Sequence, residues 1–475
     1  MSHPEGAAAP AAARAPRQGP NDLTLSFVSE ESVRAIAAAA SEPEWLLADR
    51  LAALRAFETL PIESNSLDTP YVDLRNARLG AAVPYLPGAA AAAACRAEIP
   101  DGAAAYAEYC EDGVAAVAVS PEAAAAGVVV EPLAQLAARD PKLLRRLLDG
   151  GCALPENDKL AQLTRALWTH GLFVDIPDGV RLERPIVLRW TMGTPDRAML
   201  TRTIVSVGSD AQASIVEEQM AGPAASSAEA ATGGAAPGQA FFAGTTEVKV
   251  GDGSILSFAG LQDFGPGEVA FQHRSAVLGK ASSVRWALAQ LGSRVVRSRI
   301  DNALEGDGSS VEQAEIVFGS ADQLFDLTSY THHTGRDTTG DLLSKGVLTE
   351  RSRAYLKGLA TIDRSAHGTD SYLGEFGLLL SRQARSVAIP SLEIDQPDCR
   401  RVAHSSSVGP IDESQLFYLE SRGIGPDEAR KFIVLGFLEP VVARVPLASA
   451  QDRLRDLLEA RWTALHGAVS GGEAA

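Results

Sequence analysis

From residue 171 onward the chain alternates apolar and polar positions. The stretches "GLFVDIPDGVRLERPIVLRW" (171–190) and "TRTIVSVGSDAQASIVEE" (201–218) are rich in β-branched side chains, the pattern of strands with a buried face. A short phrase then returns: an apolar strand end, a tight turn on a small residue, and a small residue opening the next strand. It reads at Val207-Gly208 with Ala211, Val250-Gly251 with Ser254, Leu278-Gly279 with Ser282, Leu348-Thr349 with Ser352, and Leu380-Ser381 with Ala384. Leu304 with Ser309 is a looser copy carrying one extra residue. Such a phrase suits a chain that coils and stacks on itself. Its steps are uneven: 43 residues from Gly208 to Gly251, 28 from Gly251 to Gly279, and 32 from Leu348 to Leu380. The Ala- and Gly-rich segment 221–240 accounts for part of the first excess, as a flexible loop ejected from the stack. The same strands also fit an antiparallel sandwich with glycine turns; the repeated phrase favours the coil.

Outside this region the apolar period is three to four. Ser41-Glu42-Pro43-Glu44 reads as a capped start, with Ser41 as cap and Glu44 closing a capping box, for a helix to about Leu60 striped by Leu47, Leu51, Leu54 and Phe57. Further helix is expected at 131–149 and 156–169. After Ser405, "DESQLFYLESR" is capped by Asp412 with Gln415 and stopped by Gly423, and "PDEARKFIVLGFLE" opens on Pro426 and is limited by Pro440. A third helix, 447–466, aligns Leu454, Leu457, Leu458, Trp462 and Leu465. The expected fold is mainly β: a right-handed parallel β-helix (solenoid) core over 170–405, between an N-terminal helical region, 23–169, and a C-terminal one, 406–475. Residues 1–22, rich in Ala and Pro, read as a disordered tail. The helices at the two ends are expected to cap the exposed termini of the coil.

Composition removes several function classes. A formal net charge of -17 repels nucleic acid, and no Lys/Arg cluster overrides it. No apolar run approaches the roughly 18 residues that span a bilayer, and no secretory leader is visible, so the expectation is a cytoplasmic protein without a membrane partner. Cys95, Cys110, Cys152 and Cys399 form no C-x-x-C pair, which fits a reducing compartment and a packing role for the first three. No P-loop phrase occurs, so nucleotide hydrolysis would belong to another chain. The acidic stretches "ALEGDG" (303–308) and "LEIDQPD" (392–398) suit either polar turns or the paired carboxylates of a β-helix carbohydrate-active enzyme. No aromatic platform for sugar accompanies them.

The segment "HSSSVGPIDESQLFYLESRGIGPDEARKFIVLGFLEPVV" (404–442) resembles the C-terminal signature of the SufB/SufD family of iron-sulfur cluster assembly proteins. Residues 26–62, 172–188, 333–358 and 378–394 resemble its N-terminal helices, first β-helix segment and later rungs, so the likeness runs from about residue 25 to 445. It is greatest to the SufD branch. No Glu follows His404, and Val402 stands where a family Cys is common. The resemblance implies a non-catalytic scaffold that pairs with a SufB-like subunit, binds no nucleotide, and shares a transient iron-sulfur cluster or iron at the interface. A SufB-like homodimer holding its own cluster is the rival within the family.

His404, expected between the last rung and the first C-terminal helix, is the metal candidate, because imidazole suits iron once its second nitrogen is held. Cys399 is the nearest thiol. The adjacent His332 and His333 could bind a metal, yet neighbours on a strand point to opposite faces, which favours packing or a surface role. The C-terminal helices carry the implied docking surface for a SufC-type ABC ATPase: Phe417 and Tyr418 on one, and Phe432, Ile433, Leu435, Phe437 and Leu438 on a helix apolar almost all round.

Overall fold

The computed structural model describes residues 19–86, 99–111, 113–150, 155–222, 238–445 and 448–467. Cys95, Cys152 and most of the expected tail and Ala-rich loop lie outside them. Residues 19–22, expected within the tail, are tied to the body: the Leu74 amide donates to the Pro20 carbonyl at 2.7 Å.

Sixteen strands alternate between two sheets. Sheet A joins β5 (His170–Ile176), β7 (Arg197–Val207), β9 (Phe241–Val250), β11 (Val269–Leu278), β13 (Val295–Leu304), β15 (Leu324–His333), β17 (Arg353–Ile362) and β19 (Arg385–Ile394), all parallel. Sheet B joins β6 (Ile186–Met192), β8 (Gln212–Ala221), β10 (Ile255–Asp263), β12 (Ser283–Gln290), β14 (Ser310–Gly319), β16 (Thr339–Leu348), β18 (Asp370–Leu379) and β20 (Arg401–Pro410). Each strand feeds the opposite sheet, so the chain winds a β-solenoid of about 8 turns. Unbroken register, as between Val269–Leu278 and Val295–Leu304, keeps each side chain above its equivalent in the next rung.

The repeated phrase lies on the corners. After the odd strands, Gly208, Gly251, Gly279, Gly306 and Gly335 stack, each of the last four donating its amide to the rung before, as Gly279 does to Val250 at 2.9 Å. A Cβ at Gly251 would stand 2.7 Å from the Gly208 carbonyl carbon, and one at Gly335 2.6 Å from the Gly306 oxygen, so the column excludes side chains. On alternate rungs the next residue is an aspartate whose carboxylate accepts the following rung's amide: Asp178 from Ser209, Asp252 from Lys280, Asp307 from Arg336. Then come the small residues Ala211, Ser254, Ser282 and Ser309, all buried. The copies at Leu348 and Leu380 belong to the opposite corner, after even strands, which is why the steps looked irregular. The extra residue of the loose copy is Glu305, just before Gly306.

Helices cover the sides of the coil. From the N-terminal part, α1 (Glu30–Ala39), α2 (Glu44–Thr59) and α6 (Lys159–Leu167) set Val33, Ile36, Leu54, Phe57, Leu163 and Leu167 on the outer face of sheet A, against Leu200, Phe241, Val269 and Val295. At the C-terminus α7 (Glu413–Ser421) is followed by α8 (Pro426–Val442) and α9 (Ala448–Gly467). The last two pack Val434, Leu438, Leu454, Leu458 and Trp462 onto the outer face of sheet B, where Ala259, Ala287 and Ala314 allow close approach. The expected capping of the coil's terminus is therefore corrected at the C-terminal end: apolar outer faces recruit the helices, and the last rung is left uncovered among the described residues.

Several local expectations also change. The segment 23–169 is not helical throughout: β1 (Val83–Pro84) pairs with β7, β2 (Ala105–Cys110) extends sheet B with β3 (Gly113–Val119) antiparallel to it, and β4 (Val129–Pro132) runs antiparallel to β5. A short helix, α3 (Pro121–Ala125), links β3 and β4. The helix expected over 131–149 is interrupted at Asp140, where the following proline disfavours helical geometry, giving α4 (Leu133–Arg139) and α5 (Pro141–Gly150). Ser41 ends α1 rather than starting α2. Its φ of 52°, with Ser41 N–H to Ala38 and Glu42 N–H to Ala37, makes a C-terminal cap. Pro440 is accommodated in the last turn of α8, which continues to Val442. The core strands run on to Pro410, past the expected limit at Ser405.

Candidate functional site at the open end of the coil

The two ends of the solenoid differ. One finishes in β3 and β4, short strands running against their neighbours. The other finishes in β19 and β20, each paired on one side only among the described residues. Both belong to the same rung, so two unpaired strand edges lie side by side around the mouth of the coil. Register carries the inward face onto them: Ala354, Leu356 and Gly358 lead to Ser386, Ala388 and Pro390, and Ser371, Leu373, Glu375 and Gly377 lead to Val402, His404, Ser406 and Val408. Val408 is 38% and Ile394 48% exposed, large for apolar side chains at a strand end.

His404 is in the middle of β20, opposite Leu373, and not at a strand–helix junction. It lies on the inward line of the last rung and is exposed because no rung follows. Cys399 lies in the corner before β20. Its Sγ is 3.1 Å from the Gln396 carbonyl, and burial, with Asp398 beside it, raises the thiol pKa, opposing the thiolate that a metal needs. The described residues contain no cluster of three or more His, Cys, Asp or Glu side chains able to hold a metal, so His404 and Cys399 do not assemble a complete centre here. Val402 shares the register line of Ser371.

His333 and His332 do face opposite ways. His333 is buried against Thr338 Oγ1 at 2.8 Å and is pushed down to about 4 by burial, so it stays neutral; His332 is half exposed beside Asp363. In the acidic stretches, Asp307 holds the Arg336 amide and Glu393 accepts from Thr361 Oγ1, uses that belong to the rungs themselves.

The expected docking residues separate by burial. Phe417 is 72%, Tyr418 57% and Phe432 55% exposed, and α7 buries none of its residues. Ile433, Leu435 and Phe437 are half-buried, with Lys345 Nζ 4.6 Å above the Phe437 ring. Leu438 is fully enclosed against sheet B and offers no surface.

Sequence reasoning passed over the carboxylates inside the coil. Glu217 pairs with Arg274 at 2.5 Å and accepts from Trp190 Nε1; Glu315 accepts from Gln290 and Ser298. Glu375 is 1% exposed, its Oε2 has no hydrogen-bond partner among the described residues, and the carboxyl meets the Ile389 amide. Alternation alone gave no signal, because in "DSYLGEFGLL" Tyr372, Phe376 and Leu378 make the opposite phase the more apolar one; register with the neighbouring rungs is what turns Ser371, Leu373, Glu375 and Gly377 inward.

Burial raises Glu375 from 4.5 to about 8, the Ile389 amide opposing the shift. The folded state holds this proton more tightly than the unfolded chain, so the stability it contributes is complete below pH 4.5 and is lost as pH rises through 8. Between pH 6 and 9 the loss amounts to roughly 3 kcal/mol. Urea unfolding at those two pH values is expected to show a smaller decline for Glu375→Gln than for the native chain by about that amount; parallel declines would exclude it.

Comparison with known proteins bears on the same region. The family described as SUF system FeS cluster assembly, SufBD core domain, matches residues 190–437, from β6 into α8. The iron-sulfur cluster assembly protein SufD of Bacillus subtilis (strain 168) is 27% identical over 305 residues, 64% of this chain and 67% of that protein. SufB of the same organism is 24% identical over 301 residues, 63% of this chain and 62% of its own length. A SufBD family protein of Staphylococcus epidermidis (strain ATCC 12228 / FDA PCI 1200) is 24% identical over 299 residues, again 63% and 62%. The match thus spans less than two thirds of the latter two relatives. With the family region covering more than half of the sequence, and including both the open rung and the exposed helix that follows it, the chain belongs to the SufBD family of the SUF iron-sulfur cluster assembly system.

Proposed function

We propose that the chain is the SufD-like, non-catalytic scaffold subunit of a cytoplasmic SUF complex, pairing with a SufB-like chain and docking a SufC-type ABC ATPase. The observation that carries this reading is the last rung: two adjacent, unpaired parallel-strand edges around an inward face of small and apolar side chains. A partner presenting the same pair of edges continues both sheets at once, gaining backbone hydrogen bonds while closing the mouth. Iron or a nascent cluster is then the cargo, held between His404 and groups of the partner, since one imidazole is an incomplete ligand set. The ATPase docks on Phe417, Tyr418 and Phe432, aromatic side chains of the kind that anchor interfaces. Its nucleotide-driven motion reaches the mouth through α8, which is packed on sheet B.

Co-expression with SufB-like and SufC-type chains tests both contacts. Val408→Asp combined with Ile394→Lys is expected to lose the SufB-like chain and keep the ATPase, whereas Phe417→Asp combined with Phe432→Asp is expected to do the reverse. All four positions are exposed, so folding is retained. Retention of both partners by both variants would reject the proposed surfaces, and a cluster-loaded homodimer of this chain alone would favour the SufB-like scaffold.

A further inference from the structure

Polar side chains recur on the inward line of sheet B as it nears the mouth. In register on successive rungs stand Glu315, Ser344, Glu375 and Ser406. Deeper in the lumen Glu217 is paired with Arg274, and Glu315 accepts from a hydroxyl and an amide on one oxygen while its other oxygen has no partner among the described residues. Glu375 has no basic side chain paired with it among the described residues. It is nevertheless as well enclosed as the others, and one oxygen is unclaimed. A buried carboxyl in that condition stays protonated until a cation arrives.

His404 is the neighbour that matters. It follows Leu373 on the inward line and Ser406 follows Glu375, so the imidazole and the carboxyl lie on adjacent strands, two positions apart on one face. Strand spacing and rise put their Cα atoms about 8 Å apart, a span that a histidine and a glutamate bridge through one bound ion. The wall opposite is close: a Cβ at Gly358 would come 2.5 Å from Leu373 Cδ2 and 3.0 Å from Glu375 Oε1, so glycine is what admits both side chains to the lumen. The hydroxyls of Ser371 and Ser386, also without hydrogen-bond partners among the described residues, lie on the same inner surface.

Resting on the reading of His404 as a cargo ligand, we propose that Glu375 is a second cation-binding side chain of the open end. Its free carboxylate oxygen and the His404 imidazole together take one divalent transition-metal ion, ferrous iron being the cargo implied by the family. On binding, the carboxyl releases its proton to water in the mouth and the metal takes its place, a gain of one positive charge. A nitrogen and an oxygen donor suit a metal of intermediate softness, and the partner subunit supplies what the mouth lacks. Glu375 thus does from the neighbouring strand what the absent carboxylate after His404 cannot.

The test uses the full chain and Co2+ alone as the probe, at pH 8, followed by its visible bands and by calorimetry. Native protein is expected to bind one ion, His404→Ala and Glu375→Gln each at least tenfold more weakly with altered bands, and Glu315→Gln, two rungs deeper, like native. Glu375→Asp, which keeps the charge but withdraws the oxygen, is expected to bind with intermediate affinity, guarding against a Gln variant that merely misfolds. Native affinity and bands in Glu375→Gln, or no uptake by the native chain, would overturn the proposal. Partner co-purification is a separate readout: its failure in the native chain would strike the complex and leave the ion-binding result intact.

Discussion

Gly306→Ala is expected to leave no soluble folded coil. The added Cβ would fall within the backbone of the preceding corner, on the Gly279 carbonyl and the Lys280 amide, where no rotamer can relieve it. Relief requires two rungs to separate, which strains the Gly306 amide bond to the Leu278 carbonyl (3.0 Å) and the ladders on both sides. Ordinary overpacking of a core costs about 1–3 kcal/mol by displacing side chains. Displacing hydrogen-bonded backbone in a stack costs more, and each rung transmits the displacement to the next. Gly267 is the control, because a Cβ there meets nothing within 4 Å. Gly267→Ala is expected to change stability by less than about 0.5 kcal/mol. Soluble yield, circular dichroism and thermal unfolding of the two variants decide it, and a cooperative, native-like transition in Gly306→Ala would show that the glycine column tolerates a methyl group.

Removing Glu217 is expected to destabilise the coil by about 3–5 kcal/mol, the cost of leaving a buried charge without its counter-ion. Arg274 is 3% exposed, Nη2 meets Glu217 Oε2 at 2.5 Å, and Nε and Nη1 have no other hydrogen-bond partners among the described residues. Glu217→Ala would also strip the acceptor from Trp190 Nε1 (3.1 Å) and open a cavity between the sheets. Replacing both members, Glu217→Met with Arg274→Met, is expected to recover most of the loss, since two desolvated charges then leave together. Urea unfolding of the single and double variants separates an ion pair from simple packing: a double variant no better than Glu217→Ala would mean that volume, and not charge, is what the site requires.

The coil was legible because strands with a buried face alternate apolar and polar residues and their corners need small residues, and both requirements are written locally. The two corner types were not told apart, because Gly279 and Thr349 serve similar turns on opposite sides of the coil. Strands β2 and β3 escaped notice because "AYAEYC" and "GVAAVAV" are rich in alanine, whose helical preference is overridden by pairing with β6 and with each other. The end of the core was placed too early at Ser405 because Ser405, Ser406 and Ser407 carry little strand propensity; register with Gly374, Glu375 and Phe376 holds them in β20. At the site, His404 drew attention through its residue type and the family likeness. Glu375 did not, since Tyr372, Phe376 and Leu378 hold the opposite phase of its strand and make the carboxylate look outward-facing until the opposite wall is known to close over it.

Under the proposed pairing, the unequal ends of the solenoid also set a stoichiometry. Growth by strand addition has a polarity here: the edge beyond β20 accepts a further rung, while the opposite end terminates in reversed strands, one of them four residues long and closed by Pro132. Two chains that meet mouth to mouth therefore exhaust their open edges in a single event. The product of that pairing is a closed pair, because the strands at the opposite end, β3 and β4, run against their neighbours and do not continue the parallel ladders.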